Sequence, residues 1–276
     1  MARSIFFILA FFSFSASAQQ KPISIINKVI SIYGRELEIN TDGFPKQIKS
    51  YYDWEFNKFG FKPTNLLYEP IHFHYFTSPK TQEKLVISTF DIISNTTDSV
   101  VWNATSSSDN ISQYVRAKMS EDGFVDLRVR IKALKAVVFS TINFHNPFEK
   151  DAAKYVVGLG NHGYLRPDTV KWSWKLADKI SPTVLIGNDN AALYINIDQS
   201  KKSETSSAQN GWRNDDKGTM QVNIKGSSML TEFSTGVVSL KAGDELTFNF
   251  NLLVTPIDRK DGRRDLQKRF NKYHSR

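Results

Sequence analysis

One stretch of the chain has the spacing of a nucleotide site. Residues 158–163, GLGNHG, match the dinucleotide-binding pattern G-x-G-x-x-G. That pattern binds pyrophosphate only where a helix begins in the glycine loop and directs its N-terminal amides at the ligand. Pro167 and the β-branched Thr169 and Val170 follow here, and they oppose a helix. We therefore expect no nucleotide site, and we predict glycines that permit positive φ or close packing at a strand end.

Two tryptophans next to this stretch form the candidate carbohydrate-binding set together with three polar residues. Trp172 and Trp174 project from the same face of an extended segment. Indole rings stack against the apolar C–H faces of sugars, and they equally fill the core of a sandwich, so both interpretations stay open. Asn161, His162 and Arg166 are close in sequence. They could hydrogen-bond a polar ligand, or they could fix the loop.

A pair of histidines has a spacing that can chelate zinc. His72 and His74 share one face of a predicted strand. A zinc site needs three or four ligands, and neither a carboxylate nor a third histidine lies near in sequence. A solvent-facing pair is therefore predicted, with no metal site and no cofactor. The chain has 0 cysteines, which excludes thiolate metal sites, cysteine nucleophiles and redox pairs.

Paired carboxylates are the usual acid and base of glycan hydrolysis. Asp244-Glu245 and Glu121-Asp122 are the pairs that deserve inspection, but both stand at turn positions ahead of predicted strands. Asp commonly caps such turns, so these pairs are assigned to structure. No order of Ser, His and Asp, no phosphate loop and no metal cluster rises above chance. No catalytic residue is assigned.

The elements that must position these residues are strands. From residue 19 onward the apolar period is almost entirely two, as in residues 125–132 (VDLRVRIK) and 246–252 (LTFNFNL). Alternation of this kind indicates sheets with one buried face, which is the antiparallel pattern, and Asp-Gly turns separate the runs. We predict an all-β fold: a large two-sheet antiparallel β-sandwich over residues 19–257 with a short amphipathic helix or linker after it.

Both ends of the chain differ from this body. Residues 1–18 combine Arg3, a short apolar run and Ala16-Ser-Ala18, which predicts a cleaved signal peptide and a secreted, periplasmic or cell-surface protein. No later window is apolar enough to span a membrane. Residues 258–276 carry eight Lys or Arg against three Asp, and apolar residues recur there at helical spacing. Most of the net charge of +8 belongs to this basic helical linker, so no nucleic-acid groove is expected.

Several phrases, taken in order, resemble a known module. They are GLGNHGYLRP (158–167), WSW (172–174), IGNDNAALYI (186–195), GWRNDDKG (211–218) and LVTPI (253–257). In this order they resemble the N-terminal β-sandwich domain of bacterial glycoside hydrolases related to family 123. The closing KRFNKYHS (268–275) resembles the segment that leads such proteins into a catalytic barrel. The resemblance is good over residues 150–275 and thinner before them, where DGF (122–124) is the best match.

The resemblance implies a domain that works on exported or periplasmic glycans. Family 123 releases β-linked N-acetylgalactosamine by a substrate-assisted mechanism, and its neighbouring Asp and Glu lie in the barrel. No catalytic residue can therefore be carried over to this sequence. The resemblance leads us to expect a truncated, split or stand-alone sandwich domain whose partner is a glycan or a separate catalytic barrel.

Three hypotheses for function follow. The first is a non-catalytic β-sandwich module that binds glycan or supports a barrel. The second is a complete β-sandwich enzyme, such as a polysaccharide lyase or a mutarotase-like protein, that uses His72, His74 or His162 with a tyrosine. The third is a surface or outer-membrane interaction protein whose basic tail meets anionic lipid or polymer.

Overall fold

The computed structural model describes residues 23–52, 59–197 and 209–255 of the 276-residue chain. The predicted signal peptide (1–18) and the predicted basic linker (258–276) lie outside these ranges. Across the described ranges, no helix has the length and apolar character needed to cross a membrane.

Strands make up nearly all of the regular structure in these ranges. In chain order they are β1 (Ile23–Ile26), β2 (Val29–Ile32), β3 (Arg35–Ile39), β4 (Pro45–Tyr52), β5 (Phe59–Asn65), β6 (His72–Ser78), β7 (Thr81–Glu83), β8 (Val86–Asn95), β9 (Ser99–Ser107), β10 (Ile111–Ser120), β11 (Phe124–Ala133), β12 (Val137–Phe139), β13 (Thr141–Glu149), β14 (Tyr155–Gly158), β15 (Asn161–Leu165), β16 (Thr169–Ser173), β17 (Thr183–Gly187), β18 (Ala192–Asn196), β19 (Gln209–Asn210), β20 (Thr219–Lys225), β21 (Ser228–Ser234), β22 (Val238–Leu240) and β23 (Glu245–Thr255). A single 3₁₀ turn, Trp174–Leu176, follows β16 within the described ranges.

Two large sheets dominate the fold. The 10-stranded sheet has the order β15-β14-β17-β18-β23-β11-β10-β9-β8, with β19 also paired to β23. The 6-stranded sheet has the order β16-β20-β21-β13-β6-β7. A 5-stranded meander, β1 to β5, and the 2-stranded pair of β12 and β22 complete the described strands. Neighbours are antiparallel except β19 and β23, which pair in parallel.

The two large sheets share one aromatic core. Phe73 of β6 and Phe144 of β13 point inward from the six-stranded sheet, and Phe248 and Phe250 of β23 meet them from the other side. The ring centroids of Phe144 and Phe250 are 4.6 Å apart. Trp212 lies between the layers with 1% of its surface exposed, and its centroid is 5.0 Å from that of Phe248. Burial of this aromatic surface stabilises the packing of the two large sheets.

The five-stranded sheet packs onto the same core. Phe44, in the connection between β3 and β4, has its ring centroid 5.5 Å from that of Phe73. Trp102 of β9 is fully buried and donates a hydrogen bond of 2.8 Å from Nε1 to the carbonyl oxygen of Gly43. The meander is therefore joined to both large sheets by buried contacts.

The predicted fold class is confirmed, and the arrangement is richer than the sequence indicated. The alternation of residues 125–132 and 246–252 becomes β11 and β23, which pair directly in the ten-stranded sheet. Besides the two large sheets of the predicted sandwich, the structure has a five-stranded sheet and a two-stranded pair. These were not predicted because periodicity shows which face of a strand is buried and not which strands share a sheet. The predicted C-terminal helix falls outside the described residues.

Candidate functional site

The outward side of the six-stranded sheet is polar. Strand geometry sends alternate residues to opposite faces, so β6, β13, β16, β20 and β21 bury apolar residues on one side and present mostly polar residues on the other. We call this surface the polar face. Its polar residues are His72, His74, Asn143, His145, Lys171, Ser173, Thr219, Gln221, Glu232 and Ser234, all of them half-buried except the exposed Lys171. Phe76 of β6 lies on the same side, with its ring centroid 5.7 Å from that of His74.

One row of the polar face crosses five strands without a break. The registers pair His72 with His145, His145 with Glu232, Glu232 with Gln221, and Gln221 with Lys171. Adjacent strands are about 4.8 Å apart, so successive side chains of the row stand at that spacing. The row offers imidazole, carboxylate, amide and ammonium groups side by side.

Three imidazoles meet at one end of this row. His145 lies directly opposite His72, and His74 follows two residues along β6. The ring centroids are 4.5 Å apart for His72 and His74, 5.1 Å for His72 and His145, and 4.6 Å for His74 and His145. One ring nitrogen of each residue lies within 4.8 Å of the other two. We call these residues the histidine cluster.

Two members of the histidine cluster are oriented by acceptors behind them. Nδ1 of His72 is 2.7 Å from the carbonyl oxygen of Pro70. Nε2 of His145 is 2.6 Å from a carboxylate oxygen of Glu232. A carbonyl or carboxylate oxygen only accepts, so each of these nitrogens is the one that carries the proton in the neutral ring. The lone pair is then on Nε2 of His72 and on Nδ1 of His145.

Burial and mutual proximity keep two of these rings neutral. Burial lowers the pKa of His74 from 6.5 to about 4, with further lowering by the imidazoles of His72 and His145. Burial likewise lowers the pKa of His72, although its hydrogen bond to Pro70 acts in the opposite direction. Both rings therefore hold an unprotonated nitrogen at neutral pH.

A cavity of about 360 Å³ adjoins the cluster, and His72 and His74 contribute to its wall. Tyr75 and Gln113 line it from the core side. The hydroxyl of Tyr75 donates to Oε1 of Gln113 at 2.5 Å, and Nε2 of Gln113 donates to Oγ of Ser106 at 3.2 Å. This chain of buried hydrogen bonds fixes the polar wall of the cavity.

The third histidine was missed by the sequence reasoning. The expectation of no metal site rested on the lack of a further ligand near His72 and His74. His145 is 71 residues beyond His74 in the chain and reaches them because β13 pairs with β6. The signal that could have found it is the alternation of residues 141–145 (TINFH), which puts His145 on the polar side of a strand. The pairing partner of that strand could not be read from the alternation.

Trp172 and Trp174 lie in the core, which corrects the interpretation of them as a sugar platform. Their exposed fractions are 2% and 7%. Nε1 of Trp172 donates to the carbonyl oxygen of Ile180 at 2.8 Å, and Nε1 of Trp174 donates to that of Trp212. Trp172 points inward because the outward positions of β16 belong to Thr169, Lys171 and Ser173. A sugar cannot stack on either ring in this arrangement.

The three polar members of the predicted binding set lie around the β14–β15 hairpin and not on the polar face. The side-chain amide of Asn161 is 3.4 Å from the carbonyl oxygens of both Gly158 and Leu159, so it fixes the turn. Arg166 is half-buried and its backbone N–H donates to Lys154. The backbone of His162 pairs with Val157, and its side chain is outside what the structure describes.

The glycine stretch has positive φ at a strand end, as predicted, and it forms the turn of the β14–β15 hairpin. Gly158 and Gly160 have φ of +96° and +86°, and β15 follows them where a nucleotide site would need a helix. The acidic pairs are also turn residues. Asp244 accepts a hydrogen bond from the backbone N–H of Lys241 at 2.7 Å, and Asp122 accepts one from that of Phe124 at 3.1 Å.

Comparison with known proteins gives one family and a set of distant structures. A family model described as "Glycoside hydrolase 123, third domain" matches residues 23–256. No curated protein matches the sequence. Solved structures that are similar include a galactose mutarotase related enzyme from Lactobacillus acidophilus (TM-score 0.44, 8% identity, 86% of this chain and 98% of that chain). Others are a putative mutarotase from Salmonella typhimurium (0.49, 8%, 85% and 93%) and heparan sulfate lyase HepC from Pedobacter heparinus (0.44, 9%, 84% and 34%).

Proposed function

The chain belongs to the family of the third domain of glycoside hydrolase 123, and from that premise we propose that it is a non-catalytic module that contacts glycan for an exported glycoside hydrolase. The family description numbers this domain third, where the resemblance of the phrases implied an N-terminal position. A glycan-related role follows from the family itself. The proposed parts are that the chain contacts glycan without cleaving it and that it is exported.

The observation that carries the proposal is the central row of the polar face. His145, Glu232, Gln221 and Lys171 place a donor or an acceptor on each of four adjacent strands. Sugars present many hydroxyl groups that both donate and accept, so one chain of sugar residues laid across the strands can bond to several of these side chains. Such a surface holds a glycan by distributed hydrogen bonds and not by a tryptophan platform.

The non-catalytic part is supported by what surrounds the carboxylates. Glycoside hydrolysis with two carboxyl groups needs an acid and a base or nucleophile on either side of the bond, roughly 5 to 10 Å apart. In the central row, Glu232 is engaged by His145 at 2.6 Å. The pairs at 121–122 and 244–245 include Asp122 and Asp244, which cap turns and are occupied by backbone N–H groups.

The direct test measures the binding of glycan and the cleavage of glycosides in separate experiments. In affinity electrophoresis, the full chain should be retarded by a polysaccharide that contains N-acetylgalactosamine or galactosamine. In parallel, aryl β-N-acetylgalactosaminide and β-galactosaminide should not be turned over. Free migration through every such gel contradicts glycan contact. Hydrolysis that Glu232→Gln abolishes contradicts the non-catalytic part.

A complete lyase or mutarotase-like enzyme remains the second candidate, because one observation favours it. The histidine cluster and Glu232 stand together on a polar face beside a cavity, as an acid–base site would require. Incubation with uronic-acid polymers, read by the absorbance of an unsaturated product, and polarimetry with free aldoses distinguish it. A rate that His145→Ala removes would favour the enzyme over the module.

A further inference from the structure

We infer that the histidine cluster is a binding site for a divalent transition-metal ion, with Zn²⁺ as its expected occupant. Its ligands are His72 and His74 from β6 and His145 from β13. This inference goes beyond the proposed function and does not depend on it, because metal binding and glycan retention are measured separately.

The arrangement of the three residues suits tetrahedral coordination. Zn–N bonds of about 2.0–2.1 Å place the ligand nitrogens of a tetrahedral site roughly 3.3 Å apart. The three ring nitrogens lie within 4.8 Å of one another, so side-chain rotation needs to close any pair by at most about 1.5 Å to complete the geometry. The rings start from centroid separations of 4.5–5.1 Å on two paired strands, which restrict their positions.

The acceptors behind the rings are those of a metal site. Histidines that bind metals nearly always donate their other ring N–H to a carbonyl or a carboxylate, which fixes the tautomer and strengthens the ligand. His72 donates to Pro70 in this way, and His145 donates to Glu232. In the neutral form of each ring, Nε2 of His72 and Nδ1 of His145 are the nitrogens that offer a lone pair to a metal ion. Glu232 is a positioning residue for the site and not one of its ligands.

The ligand set also selects the class of ion. Three imidazole nitrogens suit Zn²⁺ and its neighbours in the transition series, whereas Ca²⁺ and Mg²⁺ require oxygen ligands. All three histidines are half-buried, which leaves solvent access to the cluster. Three protein ligands with an open fourth position are the arrangement of catalytic zinc, as in carbonic anhydrase, whereas structural sites are closed by four.

The test is titration of the full chain with Zn²⁺, using protein purified without a polyhistidine tag and stripped with a chelator. Calorimetry, or competition with a chromophoric chelator, should show one equivalent bound with Kd in the micromolar range or tighter. A millimolar excess of Ca²⁺ or Mg²⁺ should not displace it. Co²⁺ in place of Zn²⁺ should give the intense visible absorption of tetrahedral cobalt.

Variants locate the site. His72→Ala and His145→Ala should each weaken Zn²⁺ binding at least 100-fold, and Glu232→Gln should weaken it by about 10- to 100-fold as a positioning residue does. His162→Ala is the matched control, because this histidine belongs to the other large sheet, and it should bind as the parent does. Circular dichroism of each variant reports whether the fold is kept.

Several outcomes would overturn the inference. One is the absence of saturable one-to-one binding by the parent chain. Another is a Kd that His72→Ala and His145→Ala leave unchanged, or that His162→Ala raises as much as they do. A third measurement needs no variant: Zn²⁺ should raise the Tm of the parent chain, since it binds the assembled cluster and not the unfolded chain. An unchanged Tm at saturating Zn²⁺ counts against the site.

Discussion

At the scale of single residues, burial decides between two interpretations of the same side chain. Trp172 and Trp174 have the spacing of a sugar platform, yet their rings meet at a centroid distance of 5.2 Å inside the core. Their indole N–H groups bond to backbone carbonyls, as buried tryptophans require. The outcome for His72 and His74 is different. The sequence predicted a solvent-facing pair without a metal site, whereas the neighbouring strand β13 brings a third ring, His145, beside the pair.

The tryptophans give a stability prediction. Trp172→Ala should lower the free energy of unfolding by about 3–5 kcal/mol, because it removes a buried indole and leaves a cavity. Phe61→Ala is the control, since the Phe61 ring is fully exposed, and it should change stability by less than about 0.5 kcal/mol. Urea titration measures both. A Trp172→Ala protein as stable as the parent would contradict a packing role for this ring and would favour its assignment as a ligand contact.

Tyr194 gives a prediction for alkaline pH. It is 2% exposed, and burial raises its pKa to about 12, against the hydrogen bonds from Thr183 and Asn196. The unfolded chain loses this proton near pH 10 and the folded chain holds it, so stability is full below pH 10 and falls between pH 10 and about 12. The loss from this one group is up to about 3 kcal/mol.

The check is a comparison of the parent with Tyr194→Phe at pH 9 and pH 11.5. The drop in the free energy of unfolding between these two pH values should be smaller for the variant, because the phenyl ring has no proton to lose. Equal drops in the two proteins would mean that Tyr194 titrates alike in the folded and unfolded chains.

At the scale of elements, the β14–β15 hairpin illustrates how a close backbone approach specifies glycine. Gly158 and Gly160 both have φ near +90°, a region that side chains disfavour. A Cβ at Gly158 would overlap the carbonyl oxygen of Thr183 on β17. A Cβ at Gly160 would find Ile180 at an ordinary 3.7 Å. The two glycines thus share a backbone requirement and differ in available space.

This difference makes a matched pair of variants. Gly160→Ala should cost about 1–2 kcal/mol, the price of a left-handed conformation. Gly158→Ala should cost clearly more, because it must also push β14 away from β17. Urea unfolding of the two proteins measures the difference. Equal costs would show that the contact with Thr183 does not constrain the hairpin.

Strand content was predictable from the sequence, but strand partners were not. The period-two runs at 125–132 and 246–252 lie within β11 and β23. Alternation alone indicates a strand with one buried face, yet all five residues of β17 are buried. The outer side of β17 is covered because Leu185 joins a second apolar cluster with Tyr194 and Leu253. Alternation cannot report such a cover, since it comes from residues distant in sequence.

The candidate site was predictable only in part for the same reason. His72 and His74 were recognised as a same-face pair from their spacing alone. Glu232 and His145 are 87 positions apart, and no local pattern links them. The polar face is a property of strand order in the six-stranded sheet, which sequence periodicity leaves undetermined.

At the scale of the whole molecule, the two sides of the six-stranded sheet differ in chemistry: one packs in the core and the other is polar. One aromatic core holds the two large sheets and the meander together through Phe73, Trp212 and their neighbours. The opposite side of the six-stranded sheet is left for half-buried polar groups in register. Rigid strands hold these groups at fixed spacing, which limits the conformational entropy that ligand binding would cost.

The claim that the polar face contacts glycan is tested most directly by comparing two double variants, one on the polar face and one on the outward side of the ten-stranded sheet. Lys171→Ala with Gln221→Ala removes two members of the central row without touching the histidine cluster. Lys118→Ala with Asn249→Ala makes a similar change on the outward side of the ten-stranded sheet. Affinity electrophoresis should show the first double variant losing at least half of the parent's retardation by glycan, and the second keeping all of it. Equal retardation of the two folded variants would contradict the assignment of glycan contact to the six-stranded sheet.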